Sequence, residues 1–250
     1  SDSTGGEVVR NMFAGLVDLH PATLEPMPEI AERYELSEDS KTYTFYLRES
    51  FWSDGTPFTA RDFEWSWKRV LDPKTASKYS MIMFPLKNGQ AFNQKAYHLR
   101  KAAGFADEQI RAHVQPIIEV SQILRDGEDV FVFTKEPENE QGEVTLTREQ
   151  ALEQIAAKPL EGQSLEIAIA GHEIVGVRSE GDLKLVVELE VPVPYFLNLV
   201  GFYTFMPVPR HLIERLESEG KNPDLWTRPE NMVCNGAYQM AEWKFRQHML

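Results

Sequence analysis

Along Thr42–Arg48 the side chains alternate: Tyr43, Phe45 and Leu47 are apolar, with Thr42, Thr44, Tyr46 and Arg48 between them. A period of two marks a strand with one apolar face. Ala31 to Leu36 precedes it across the polar run Ser37-Glu38-Asp39-Ser40-Lys41, and together these segments predict a β-hairpin. Helical spacing takes over at Phe63, Trp67 and Val70, and Asp72-Pro73 stops it, which predicts a helix over 60–71. Its start is well marked. Asp54-Gly55 supplies a turn, Pro57 keeps any central strand away, and Thr59 opens a T-x-x-D box with Asp62 that offers oxygens to first-turn amides.

Elsewhere the pattern is less regular. Residues 8–19 read as a short helix running into an extended segment, after which Pro21, Pro26 and Pro28 argue against regular structure. Ala96 to Val114 reads as helical with a break at Gly104, Val130–Phe133 as a strand, and Glu136 to Gly142 as a polar loop. Thr147-Arg148-Glu149-Gln150 is a second capping box, opening a helix on Ala151, Leu152, Ile155 and Ala156 that ends before Pro159. A second hairpin is predicted from Ile174 to Arg178, a turn over Ser179–Asp182, and Leu183 to Leu189. Val191 to Leu199, with Pro192 and Pro194, leaves the sheet. Pro209 sits at a helix N1 position, Leu212, Ile213 and Leu216 line one face, and Gly220 ends that helix. Asn235-Gly236 is a turn before a last strand at Ala237–Met240. The class is α+β with hairpins.

Composition narrows the function more than the fold. At 250 residues the chain holds one large domain or two modest ones, and no apolar run is long enough to span a bilayer. There is no basic-then-apolar signal pattern at the start. The formal net charge of −13 repels phosphate backbones, and basic residues are interleaved with acids, so nucleic acid is not an expected partner. Cys234 is the one cysteine and reads as a small buried thiol; it can form neither an internal disulfide nor a cysteine metal cluster. The six histidines lack zinc spacing, and there is no G-x-S-x-G elbow, phosphate loop or calcium loop. Turn formation and capping account for Asp54 and Asp62 without an acid–base role. No enzyme, metal or cofactor is expected. What remains is aromatic: Trp52, Trp65, Trp67, Tyr79, Phe84, Tyr195, Phe196, Phe202, Tyr203 and Trp243. Most read as core, and those near loops are the material of an apolar ligand pocket.

Phe51-Trp52-Ser53-Asp54-Gly55-Thr56-Pro57-Phe58-Thr59-Ala60-Arg61-Asp62-Phe63 resembles the signature of family 5 extracellular solute-binding proteins, the binding components of bacterial ABC importers. Phe13-Ala14-Gly15-Leu16, Thr42 to Arg48, Glu190 to Phe196 and Asn235-Gly236-Ala237-Tyr238 resemble further landmarks of that family, in order. Trp65 to Arg69, Asp72 to Tyr79 and Trp226 to Asn231 are similar to its oligopeptide-binding branch. The resemblance implies an α+β fold, the N-terminal lobe of a periplasmic-binding-protein type II clamshell, with a mixed β-sheet, hairpins and flanking helices. It implies a β-hairpin-rich subdomain over 14–209, with 1–13 and 210–250 as pieces of the first main lobe and the second lobe absent. Asn88 to Gly171 departs from the family pattern by its length and reads as an insertion at about 88–171. The implied function is to bind a peptide or other small solute between two lobes and deliver it to ABC permease subunits in the membrane. The implied location is extracytoplasmic, either periplasmic or lipid-anchored. Relatives on this scaffold also imply nickel, opine or oligosaccharide as solutes, or a sensor domain of a transcriptional regulator. Tyr79 resembles a tyrosine that faces the ligand pocket, and both pocket lining and ordinary packing fit it. Ser3, Thr4 and Gly5 match the ligand-facing strand of the family by position alone.

Overall fold

The computed structural model describes residues 3–135, 145–244 and 248–249, so the predicted polar loop at Glu136 to Gly142 lies outside the described residues. The chain begins with α1 (Ser3–Met12), β1 (Val17–Leu19), β2 (Pro26–Pro28), β3 (Ala31–Leu36), β4 (Thr42–Leu47), β5 (Ser50–Phe51), β6 (Pro57–Phe58) and α2 (Ala60–Leu71). It continues through α3 (Gly89–Asn93), β7 (Tyr97–Arg100), α4 (Asp107–Val114), β8 (Val120–Asp126), β9 (Asp129–Thr134), α5 (Arg148–Ala156) and β10 (Glu166–Ile169). Then come β11 (Val177–Ser179), β12 (Lys184–Glu188), α6 (Phe196–Val200), α7 (Arg210–Ser218), β13 (Trp243–Lys244) and β14 (His248–Met249). Two compact units divide these elements. Ser1–Leu71, Thr75–Lys87 and Gly176–Leu250 form one; Asp72–Lys74 and Asn88–Val175 form the other.

The first unit is built on a four-stranded sheet ordered β11-β12-β4-β3. Both predicted hairpins are present, β3 with β4 and β11 with β12, and β12 pairs β4 to join them. Alternation along β4 works as read: Tyr43, Phe45 and Leu47 are buried and the residues between them half-buried. Phe196 of α6 meets Tyr43 at 5.0 Å between ring centroids. The helix predicted over 60–71 is α2, and Phe63, Trp67 and Leu71 are wholly buried. Its register is held by polar contacts: the Trp67 indole N–H donates to the Phe205 carbonyl at 2.7 Å, the Val208 N–H to Ser66 Oγ at 3.0 Å, and the Ser179 N–H to Glu64 Oε2 at 2.8 Å. At the start of α2 the Asp62 carboxylate accepts from the Thr59 N–H at 2.8 Å, and the Thr59 hydroxyl also donates to it. Leu212, Ile213 and Leu216 form the buried face of α7, with Pro209 as its N-cap, one position before the expected N1.

Two expectations for this unit are corrected. Pro26 and Pro28 do belong to a strand, because β2 pairs only with β1 and a two-stranded ribbon leaves outer edges that need no donor. Ala237–Met240 is not a strand. The Gly236 N–H donates to Met12 O at 2.8 Å and the Tyr238 N–H to Asn11 O at 3.1 Å, so these donors satisfy the carbonyls that end α1.

The second unit runs β7-α4-β8-β9-α5-β10 with its sheet ordered β10-β7-β9-β8, the doubled split β-α-β arrangement. One face carries Tyr97, Leu99, Val130 and Val132 against Ile110 and Val114 of α4 and Ala151 and Ile155 of α5. The other face packs Phe131 and Phe133 against Ala91, Ala96 and Ala170. The helix expected from Ala96 to Val114 is therefore corrected: Tyr97–Arg100 is a strand paired on both sides, and the helix starts only at Asp107. Tertiary pairing has overridden local propensity there. The second capping box forms as read, with the Gln150 N–H donating to Thr147 Oγ1 at 3.2 Å and the Thr147 N–H to Gln150 Oε1 at 2.9 Å. Every strand pair among the described residues is antiparallel, where a mixed sheet was expected. In the second unit the physical reason is that α4 and α5 each connect parallel strands that are not neighbours.

Candidate functional site

The candidate residues all lie in the first unit. Ser3, Thr4 and Gly5 occupy the first turn of α1, so their backbone is helical where the family match had a strand. The helix is held at its far end by the sequence landmark Asn235-Gly236. The Asn235 side chain accepts from the Ala14 N–H and donates to the Ala14 carbonyl, both at 3.0 Å, copying the pairing of a neighbouring strand. A Cβ on Gly236 would fall 2.6 Å from Met12 C, so only glycine lets the two backbones approach this closely. The signature turn anchors the same run: the Ser53 N–H donates to Cys234 O at 2.7 Å, and the Cys234 N–H to Ser53 Oγ at 3.0 Å.

Tyr79 is half-buried just before the short helical turn Ser80–Met83. Its ring stands edge-on to Tyr203, 5.9 Å between centroids, and to Phe202 at 6.3 Å; Phe202 and Tyr203 lie 4.1 Å apart. Met81, on the same turn, is 69% exposed. Tyr203 also faces α1, because a Cβ on Gly6 would sit 3.5 Å from its ring. Tyr203 thus connects Tyr79 to the helix that carries Ser3, Thr4 and Gly5. Phe202 and Tyr203 stood in the sequence only as two of many aromatics, Gly6 only as half of a glycine pair without phosphate-loop spacing, and Met81 not at all. Their one signal was the aromatic pair close to the predicted loop.

Ionisable groups around this frame serve the frame. Asp54 accepts from the Thr56 N–H at 3.0 Å and pairs with His211 Nε2 at 2.8 Å. Partial burial works to raise its carboxyl, and these bonds outweigh it and hold it below the usual carboxylate range. Burial raises Asp62 above that range against the bonds from Thr59. Glu29 is pushed up to about 7, chiefly by burial, with Asp18 adding to the rise; the Gly15 N–H that it accepts at 2.6 Å and Arg48 oppose it. Burial also pushes the Cys234 thiol up to about 11, which keeps it protonated and inert. Among the described residues no three His, Cys, Asp or Glu side chains converge as metal ligands would, and no helix is long and apolar enough to cross a membrane.

The first unit is thus an α+β arrangement of antiparallel hairpins with capped helices and an aromatic corner at Tyr79, Phe202 and Tyr203. The match to known families is specific. Residues 25–250 fit the family model "Bacterial extracellular solute-binding proteins, family 5 Middle", and the chain belongs to this family. The family is one of solute-binding proteins, not enzymes. The chain is 29% identical over 243 residues to the probable deoxycholate-binding periplasmic protein YgiS of Escherichia coli K12, covering 97% of this chain and 31% of that protein. It is 27% identical to the oligopeptide-binding protein OppA of Bacillus subtilis 168, covering 98% and 30%. A crystal structure of the substrate-binding domain of a Bacillus anthracis oligopeptide ABC transporter superposes with a TM-score of 0.63 at 28% identity, covering 100% of this chain and 33% of that one. The fold is that of these OppA-type periplasmic binding proteins. The chain spans about a third of the length of the relatives it matches.

Proposed function

We infer that this chain is part of the substrate-binding component of an ABC importer, which holds oligopeptides between two lobes outside the cytoplasm and delivers them to a membrane permease. The observation that carries the reading is the near-complete alignment with the Bacillus subtilis protein named for oligopeptide binding, supported by the Bacillus anthracis structure. In such proteins an extended ligand is enclosed by hinge closure, and main-chain hydrogen bonds supply affinity while pockets accept side chains. Tyr79, with Phe202 and Tyr203 behind it, supplies an apolar wall suited to a ligand side chain. Ser3, Thr4 and Gly5 stand on the helix beside that wall and contribute to the same site.

Calorimetry of the full-length protein with a mixture of short peptides, and separately with deoxycholate, tests this. Heat with peptides that weakens about tenfold in Tyr79→Ala, and is largely kept in Tyr79→Phe, is the expected result. No heat with any peptide would sink the reading, and heat with deoxycholate alone would replace the peptide by an amphipathic steroid acid. The latter ligand is the one named for the Escherichia coli relative.

A further inference from the structure

The stretch from Asn88 to Val175 leaves and re-enters the first unit at one point. The residues flanking it are hydrogen-bonded to each other, the Gly176 N–H to Lys87 O at 2.8 Å. Both are tied to the end of β12: the Lys87 N–H donates to Glu188 O at 2.9 Å and the Glu188 N–H to Gly176 O at 2.6 Å. Leu86 bridges Leu189 beside them. A Cβ on Gly176 would lie 2.6 Å from Lys87 Cβ and from Glu188 O, so the outgoing and returning chains pass closer than a side chain permits. The host backbone is thus joined in space as if the intervening residues were absent.

The intervening residues are closed in turn. The Asn88 amide donates to Ile174 O at 3.2 Å, tying the first residue of the segment to its end. Every residue of the two apolar clusters on the β10-β7-β9-β8 sheet lies between Ala91 and Ile174. The strand and helix order is complete in itself, and the length is within the range of autonomous domains.

We propose that residues 88–175 are an inserted domain that folds and unfolds independently of the unit that hosts it. This does not depend on the solute-binding reading. The chain supplies its own reporter, because Trp52, Trp65, Trp67, Trp226 and Trp243 all lie outside the segment. In equilibrium unfolding of the whole chain, tryptophan emission follows the host alone, and amide exchange of 97–100 and 129–134 follows the insertion. Ile110→Ala, at a wholly buried position, is expected to speed exchange in those strands at least tenfold and leave the tryptophan midpoint unmoved. Leu212→Ala in α7 is expected to do the reverse. If Ile110→Ala does not yield soluble protein, the milder Ile155→Val gives the same reading at smaller amplitude. A joint shift of both readouts in either variant, or no change of exchange in the Ile110 and Ile155 variants, overturns the proposal.

Discussion

Asn235 and Gly236 show how much a two-residue landmark can hold. A turn is what their sequence suggests, and the amide of one and the missing side chain of the other are what the fold uses. Gly236→Ala forces a Cβ into the backbone of Met12 and Phe13, a collision that no side-chain rotation relieves. We expect it to cost about 2 kcal/mol, in the range of overpacking, read as a lower denaturant midpoint with an unchanged slope. Glu29 makes a different prediction. Its carboxyl titrates at about 7 in the folded chain against an ordinary 4.5 unfolded, so the native state holds the proton more tightly across that interval. Its contribution is complete below about pH 4.5 and is lost as pH rises through 7. Glu29→Gln should therefore flatten the fall in stability between pH 5 and 8, followed by thermal unfolding, by an amount on the order of 1 kcal/mol after allowing for solvent screening of a partly exposed group.

Elements were legible wherever the information was local. The period of two along β4, the helical spacing of Phe63 and Trp67, and the Thr147–Gln150 box are each written within a dozen residues, and each is present in the fold. Thr147→Ala should cost about 1 kcal/mol through loss of the N-cap, seen as faster amide exchange in the first turn of α5. The strand β7 was not legible, because Ala96 to Val114 suits a helix until β9 and β10 arrive to pair with it. The same holds for β2, whose prolines argue against a strand until its pairing partner is seen to be β1 alone. Local composition states a preference, and pairing partners far along the chain decide.

For the molecule as a whole, the acidic charge, the scattered histidines and the lone cysteine pointed away from nucleic acid and catalysis, and the ordered landmarks pointed to the solute-binding family. The chain spans about a third of the relatives' length, and on the proposed function these residues supply one part of a surface that closes around the solute. The 250-residue chain by itself should bind short peptides more weakly than micromolar in calorimetry, and micromolar or tighter binding would contradict this. The Trp52–Phe63 signature could be read for its turn, its cap and its family. Its further service, in which Ser53 holds Cys234 and Asp54 holds His211, could not. The sequence alone determined the elements whose periodicity and caps are local, the α+β class and the family. Only the tertiary structure decided that Asn235 clamps Ala14 across a separation of 221 positions, that Tyr203 joins Tyr79 to α1, and that Lys87 meets Gly176. Such contacts depend on which distant backbones come together, and no local period or cap encodes that.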